Sequence, residues 1–483
     1  MKQTKLYILT IGLLLGALLL TACSSDALPG DDGGIKEVCR TDSCYINLRI
    51  VNTSQARTRT RAVEAATSAE NAIYDGILCI FEGTSESAAT LKSAVAIDQL
   101  LNNSTDDSGV GNNGTSVNVI QQLPLSTYSY TNNLYALVLL NTTETGFSLS
   151  GNMLYFNGAT QSGKTRSQIQ QLQIKGIGST DTHVGLFMSN APTAADGTAL
   201  VQITDLYDTD AAARSGTVYT ITVERAAAKI CVTSNYSFGD NIENITLNGT
   251  SKKAHYHTMT WAVNQYNTTC YTLRNPGGSD LAWAQDINYT AAPQKITTDI
   301  DFVLYPLQSH SSDVVYVAEN TTSTPTTTAN QTCVIVEVQV KDASNMLIHE
   351  AFNFLDGNTL FTNAAQLIAF FKSEWNVHRH RDEYEYIKDK SAEEVFKYPT
   401  ILINADGSVT VTLRNDSFTG TNEQANLSAL AAELSGYTKG FRDGKMYYTY
   451  YIKPDDTPTY GIIRNNAYHL TLSAISGIGR PTP

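Results

Sequence analysis

Apolar and polar residues alternate with a period of two along much of the chain. In Cys44-Tyr45-Ile46-Asn47-Leu48-Arg49-Ile50 the alternation puts Cys44, Ile46, Leu48 and Ile50 on one face. Near the other end, Ala467-Tyr468-His469-Leu470-Thr471-Leu472-Ser473-Ala474 sets Tyr468, Leu470, Leu472 and Ala474 against His469, Thr471 and Ser473. Further strands are expected over 77–81, 134–140, 184–188, 199–204, 217–223, 229–234, 300–305, 313–318, 333–340, 400–404, 408–413 and 446–452. Asp406-Gly407 between two β-branched runs is a hairpin turn. Short strands parted by Gly, Asn, Asp, Ser and Thr predict an all-β chain of two antiparallel sandwiches.

Helical spacing is rare. Asn363–Trp375 places Leu367, Phe370 and Phe371 on one side, and Leu427–Leu434 forms a second short helix. Both read as decorations on sheets, with 363–398 an insertion in the second sandwich. Residues 102–116 and 320–332, rich in Asn, Thr, Ser and Gly, read as surface loops. The run 211–216 reads as a hinge between the two sandwiches.

Composition narrows the class. A length of 483 residues exceeds one ordinary core. A net charge of −13 with no Lys/Arg stripe argues against a nucleic-acid partner. The 26 Tyr beside only 16% charged residues suit a β-rich surface protein. The start of the chain says how it would reach a surface. Lys2 and Lys5 precede the apolar run Leu6–Leu20, which is too short for a comfortable bilayer span. Leu20-Thr21-Ala22-Cys23 then matches a lipobox, in which Cys23 is acylated and residues 1–22 are removed. Residues 24–36 read as a flexible acidic tether. Of the other six cysteines, Cys79 and Cys231 sit inside apolar strand patterns. Cys39 and Cys44 are close enough to pair in an oxidising compartment.

Candidate chemistry is sparse. His378 and His380 flank Arg379 near Asp382, Glu383 and Glu385, which is either a metal-ligand group or a solvated turn. His255 and His257 read as a solvated strand face. No nucleophile elbow, P-loop or His-Glu-x-x-His stands out. Tyr447–Tyr451 either stacks on carbohydrate or packs between sheets. The expectation is a non-enzyme with no catalytic residues, no metal and no cofactor.

Two segments carry a mechanical signal. The strand at 44–51 is followed by Gln55-Ala56-Arg57-Thr58-Arg59-Thr60-Arg61-Ala62, a Thr-spaced loop with three arginines. Both ends of the chain therefore carry half-apolar strands of similar length, fit for one groove.

Here the chain resembles a known family, the type V pilins (fimbrillins) of Bacteroidota, in particular the stalk subunits of minor fimbriae. The resemblance rests on the lipobox at Cys23 and on Arg61-Ala62 followed by Glu70-Asn71-Ala72-Ile73. It also rests on Leu186–Asn190, Val223–Ile230, Val315–Asn320, Gly444–Tyr448 and Gly461–Leu470. The segment 363–398 has no counterpart in it. The resemblance implies two transthyretin-like β-sandwich domains, export as an outer-membrane lipoprotein, and cutting by an Arg-specific surface protease at Arg61-Ala62, with Arg57 and Arg59 as lesser sites. The strand bearing Ile46, Leu48 and Ile50 then leaves, and the terminal strand of another subunit, bearing Tyr468, Leu470, Leu472 and Ala474, fills the groove. On this reading residues 1–22 are a signal peptide and 23–61 a lipidated, removable tether and strand. Residues 62–215 form the first sandwich, and 216–483 the second with its donor strand. Its partners would be further copies of itself, anchor and tip subunits, the protease, and the membrane before maturation. The product would be an extracellular fimbrium supporting adhesion and biofilm. Rival readings are a tip or accessory adhesin and a surface glycan-binding lipoprotein or glycosidase.

Overall fold

The computed structural model describes residues 43–52, 67, 69–97, 104–105, 116–124, 132–178, 180, 184–267, 269–276, 285, 303–304, 314–322, 331–452 and 460–483. The chain is all-β in architecture, with a few short helices.

Among the described residues the largest sheet has nine strands. The N-strand, Ser43–Asn52, lies inside it, between Ser116–Pro124 and Val218–Arg225. Alternation explains the placement. Cys44, Ile46, Leu48 and Ile50 are at most 1% exposed and meet Val117, Val119, Ile221 and Val223 in one core. The opposite face of the sheet is buried too, with Ile77, Phe81, Leu137 and Phe187. Such a strand offers no free edge. It pairs antiparallel with 116–124 and parallel with 218–225, with Leu48 opposite both Val119 and Tyr219.

The strand at 218–225 continues through Ala226 into Ala227–Ser234, which enters a second core. There it lies between Val314–Ala318 and the C-strand, Ala467–Leu472. This small sheet faces a six-stranded one that includes Lys253–Asn264, Cys333–Lys341 and Lys445–Tyr451. Ile230, Val232, Trp261, Val338 and Tyr468 pack between them. The C-strand also runs parallel to its partner, with Ala467 opposite Lys229 and Leu472 opposite Ser234. One backbone run, 218–234, thus carries the N-strand on its first half and the C-strand on its second.

Three segments differ from expectation. The expected hinge is a helix, Asp210–Ser215, capped by Thr209 and held on the N-strand by the Asn47 amide, which donates to the Ala213 carbonyl (3.2 Å). The chain passes between cores later, at Ala226. Within the expected loop 320–332, Asn320, Thr321, Gln331 and Thr332 are buried. Their polarity is met internally, as where the Asn320 amide donates to the Gln265 carbonyl and to Thr332 Oγ1 (both 2.9 Å). The helices are not decorations but build a core of their own. Ala364–His378, Ala392–Val395 and Thr421–Tyr437 bury Phe371, Trp375, Val395 and Leu427 together with the hairpin Thr400–Ile403/Val409–Thr412. The Asp406-Gly407 turn has Gly407 at φ +79°, the left-handed region the turn demands.

Phe371→Ala should empty this third core and cost about 3–5 kcal/mol locally. Hydrogen exchange should show opening confined to 363–437. Equal loss of protection in 333–341 would contradict a separate module.

Candidate functional site

The segment after the Arg-rich loop and the root of the C-strand meet on one side chain, Arg225, which the N-strand reaches through Asn71. Arg225 is the last residue of its strand and is buried beside Ala226. Its Nε donates to the Glu70 carbonyl (2.9 Å), one terminal nitrogen to Asn465 Oδ1 (3.1 Å) and the other to Asn71 Oδ1. Asn52, the last residue of the N-strand, donates to the same Asn71 oxygen (3.0 Å).

Glu70 forms the second layer. Its carboxylate accepts from Tyr316 Oη (2.6 Å) and the Thr67 amide (2.6 Å), and it pairs with Lys229 (3.1 Å). Burial pushes this carboxyl up, but the hydrogen bonds from Tyr316 and Thr67 and the Lys229 ammonium outweigh it and hold the carboxyl below its ordinary range. Thr67, Glu70 and Asn71 are thereby docked on the crossing strand by charge and hydrogen bonds rather than apolar area.

A second cluster lies beneath the root of the C-strand. Arg464 and Glu319 are fully buried and paired at 2.5 Å, and Arg464 also donates to the Tyr271 carbonyl (2.6 Å). Nearby, Arg274 pairs with Glu224 at 3.1 Å, both largely buried. Burial pushes the Glu224 carboxyl up, against the pull of Arg274 and Arg464. Two cations and two anions thus neutralise one another in one buried cluster. Gly461, at φ +134°, passes so close to Asn320 that a Cβ would sit 2.0 Å from its carbonyl oxygen. The Asn465 amide donates to the Ala227 carbonyl (2.8 Å). The backbone is pinned on both sides of Arg464, just before the C-strand begins.

The C-strand itself is held less firmly. Tyr468 is buried, Leu470 and Leu472 are half-buried, and Ala467, His469, Thr471 and Ala474 are exposed. Among the described residues it pairs with a strand on one side only. His469 Nδ1 lies 2.8 Å from Cys231 Sγ, its register partner.

The expected donor residues Tyr468, Leu470 and Leu472 therefore lie on the core face, whereas Ala474 lies beyond the strand and outside. The expected displaced residues Ile46, Leu48 and Ile50 lie at the centre of the first core. Cys23, Arg57, Arg59, Arg61 and Ala62 lie outside the described residues. Cys44 is disulfide-bonded, and Cys39 also lies outside the described residues. His378 ends a helix and pairs with Glu374 (3.3 Å), so it shares no strand face with His380. Among the described residues no three His, Cys, Asp or Glu are grouped to hold a metal. Arg225 and Arg464 were not singled out by the sequence. Their one local signal is a cation beside an apolar residue, as in Ile463-Arg464 and Arg225-Ala226.

Removing one partner of the Arg464–Glu319 pair strands a buried charge. Arg464→Met should cost about 3–5 kcal/mol, and Arg464→Met with Glu319→Met should cost less than either single change, read by denaturant unfolding. Glu70 sets a pH dependence. Its folded carboxyl lies below its unfolded value of 4.5, so its stabilisation is complete above that value and is lost as pH falls through the folded one. Protection of amides 69–72 should fall in that acid window, and Glu70→Gln should abolish the pH dependence.

Residues 439–483, which hold Arg464, the C-strand and everything after it, match the family model for the major fimbrial subunit protein type IV, fimbrillin, C-terminal. No curated protein matches the chain. Among solved structures, a fimbrial assembly protein from Parabacteroides distasonis aligns at 10% identity and TM-score 0.31, over 62% of this chain and 96% of that one. The fimbrial anchor protein Mfa2 from Porphyromonas gingivalis aligns at 8% identity and TM-score 0.22, over 61% of this chain and 78% of that one.

Proposed function

For a chain that is fimbrillin-like, as its carboxy-terminal match supports, we propose a structural and non-enzymatic role as the stalk subunit of a cell-surface fimbria. It is exported as a lipoprotein on Cys23, cut at Arg61-Ala62 and polymerised when the C-strand of one subunit replaces the N-strand of another.

One observation carries this reading: both strands run parallel to the single backbone run 218–234. A C-strand moving onto a neighbour's Val218–Arg225 keeps the polarity it already has. It also keeps its alternation, with Tyr468, Leu470 and Leu472 taking core places like those of Ile46, Leu48 and Ile50. A cut after Arg61 puts the lipid on Cys23 and the N-strand on one fragment, so one event both untethers the subunit and opens the groove. The groove exposes the edges of Ser116–Pro124 and Val218–Arg225, which act as a pairing template until filled. An incoming strand satisfies both edges with main-chain hydrogen bonds. It also gains area. Leu470 and Leu472 are half-exposed on their own body, and full burial is worth about 1.5–3 kcal/mol for each such side chain. The contact is head-to-tail and non-closing, so it builds a filament.

The difference in burial gives a sharp test. Leu470→Asp with Leu472→Asp should leave a folded monomer, because both sites reach water, yet prevent filaments after protease treatment. Filaments seen by electron microscopy from that variant would refute the donor role. Amino-terminal sequencing of surface filaments should begin at Ala62, and retention of Cys44–Ile50 would refute the cut.

A further inference from the structure

The segment after the C-strand is tied to the same body by contacts separate from the strand's own ladder. The Ile475 side chain is 2% exposed, inside the second core. Its amide donates to Tyr236 Oη (3.0 Å), and its carbonyl accepts from the Asn244 amide (3.1 Å). Two residues on, the Gly477 carbonyl accepts from Tyr448 Oη (2.8 Å). Arg480 exchanges both backbone hydrogen bonds with Tyr447 (2.9 Å each), and its guanidinium reaches Thr449 Oγ1. Pro481 then rests on the tip of the hairpin from the helical module. A Cβ on Gly407 would sit 2.4 Å from the proline ring. That hairpin is itself fixed to Thr438–Arg442, where the Gly440 amide donates to the Gly407 carbonyl (2.9 Å).

These contacts add to a strand that, among the described residues, pairs along one edge and buries Tyr468. The tail is also poorly suited to a sheet groove. Gly477, Gly479, Pro481 and Pro483 interrupt any strand, and Ser473 and Ala474 face outward. Its bonds therefore serve the body it lies on.

We propose that residues 475–481 are a latch that keeps the C-strand on its own subunit, with the inserted helical module as its outer stop. The strand cannot leave the edge of Ala227–Ser234 until Ile475, Gly477 and Arg480 let go. Arg464 holds the root throughout, so release swings the strand about a fixed point. The geometry of the latch stands alone. Its purpose, to delay donation until a groove is available, rests on the donor-strand reading.

The test begins on the intact chain and needs no cleavage. Tyr236→Phe with Tyr448→Phe deletes two hydroxyls and leaves both rings in place. Hydrogen exchange of amides 468–472 should become about tenfold faster, given the usual strength of such bonds, while amides 334–340 stay protected. Release of 475–481 with unchanged exchange at 468–472 overturns the latch. Ile475→Ala is a stronger second variant; equal acceleration at 334–340 would mark it as core loss, and the Phe pair then decides. Filament growth after Arg-specific proteolysis separates the two readings. Faster growth by the Phe pair supports both. Faster exchange without faster growth upholds the latch and counts against the donor reading.

Discussion

Main-chain pairing along Val218–Ser234 is the constraint on which the rest of the structure depends. This one run forms part of both cores, and in each core its partner from an end of the chain runs parallel to it. Parallel pairs cannot be joined by a tight turn, so both partners must come from far away in sequence. The N-strand arrives from before the Arg-rich loop and the C-strand from beyond residue 466. Each is a long-range addition to a framework the intervening chain supplies. The proposed exchange of these strands would leave the connections of the sheet in place.

The two partners are held by different physics. The N-strand lies inside a sheet, with every inward side chain dry. It can be lost only as a whole, leaving an open groove. The C-strand lies at an edge, half-wet, and its position comes from what flanks it: the buried Arg464–Glu319 pair before and the Ile475–Arg480 contacts after. A buried ion pair is a poor source of net stability but a strict one of geometry, since neither charge tolerates a partner out of place. Arg225 adds the link between the two ends. It ties Glu70 and Asn71, which follow the loop, to Asn465, which precedes the C-strand. The segment after the loop thus has a short physical route to the root of the C-strand.

Much of this was legible in the sequence. The alternation in Cys44–Ile50 and in Tyr468–Leu472 gave both strands and their inward faces, because a period of two fixes sidedness locally. The antiparallel expectation fails for both strands along 218–234, since alternation is the same in parallel and antiparallel pairs. The helical module was half visible. The spacing of Leu367, Phe370 and Phe371 showed an apolar stripe. Its partners, Leu427 and the hairpin valines, lie tens of residues away and turned a decoration into a core. Asn320 and Thr332 were misread because polar residues look like loop until their hydrogen-bond partners are known. Arg225 and Arg464 were hidden for the same reason, as the burial of a charge depends on a counter-charge that spacing does not reveal. The tyrosine-rich composition finds a concrete use. The hydroxyls of Tyr236, Tyr448 and Tyr468 each bond the backbone of the terminal segment.

The most direct measurement is a high-resolution electron cryomicroscopy map of filaments grown from the protease-treated protein. The strand between Ser116–Pro124 and Val218–Arg225 should carry the side chains of Tyr468, Leu470 and Leu472, and its chain should trace to a neighbouring subunit. Density for Ile46, Leu48 and Ile50 at that place, continuous with the same subunit, would contradict the account.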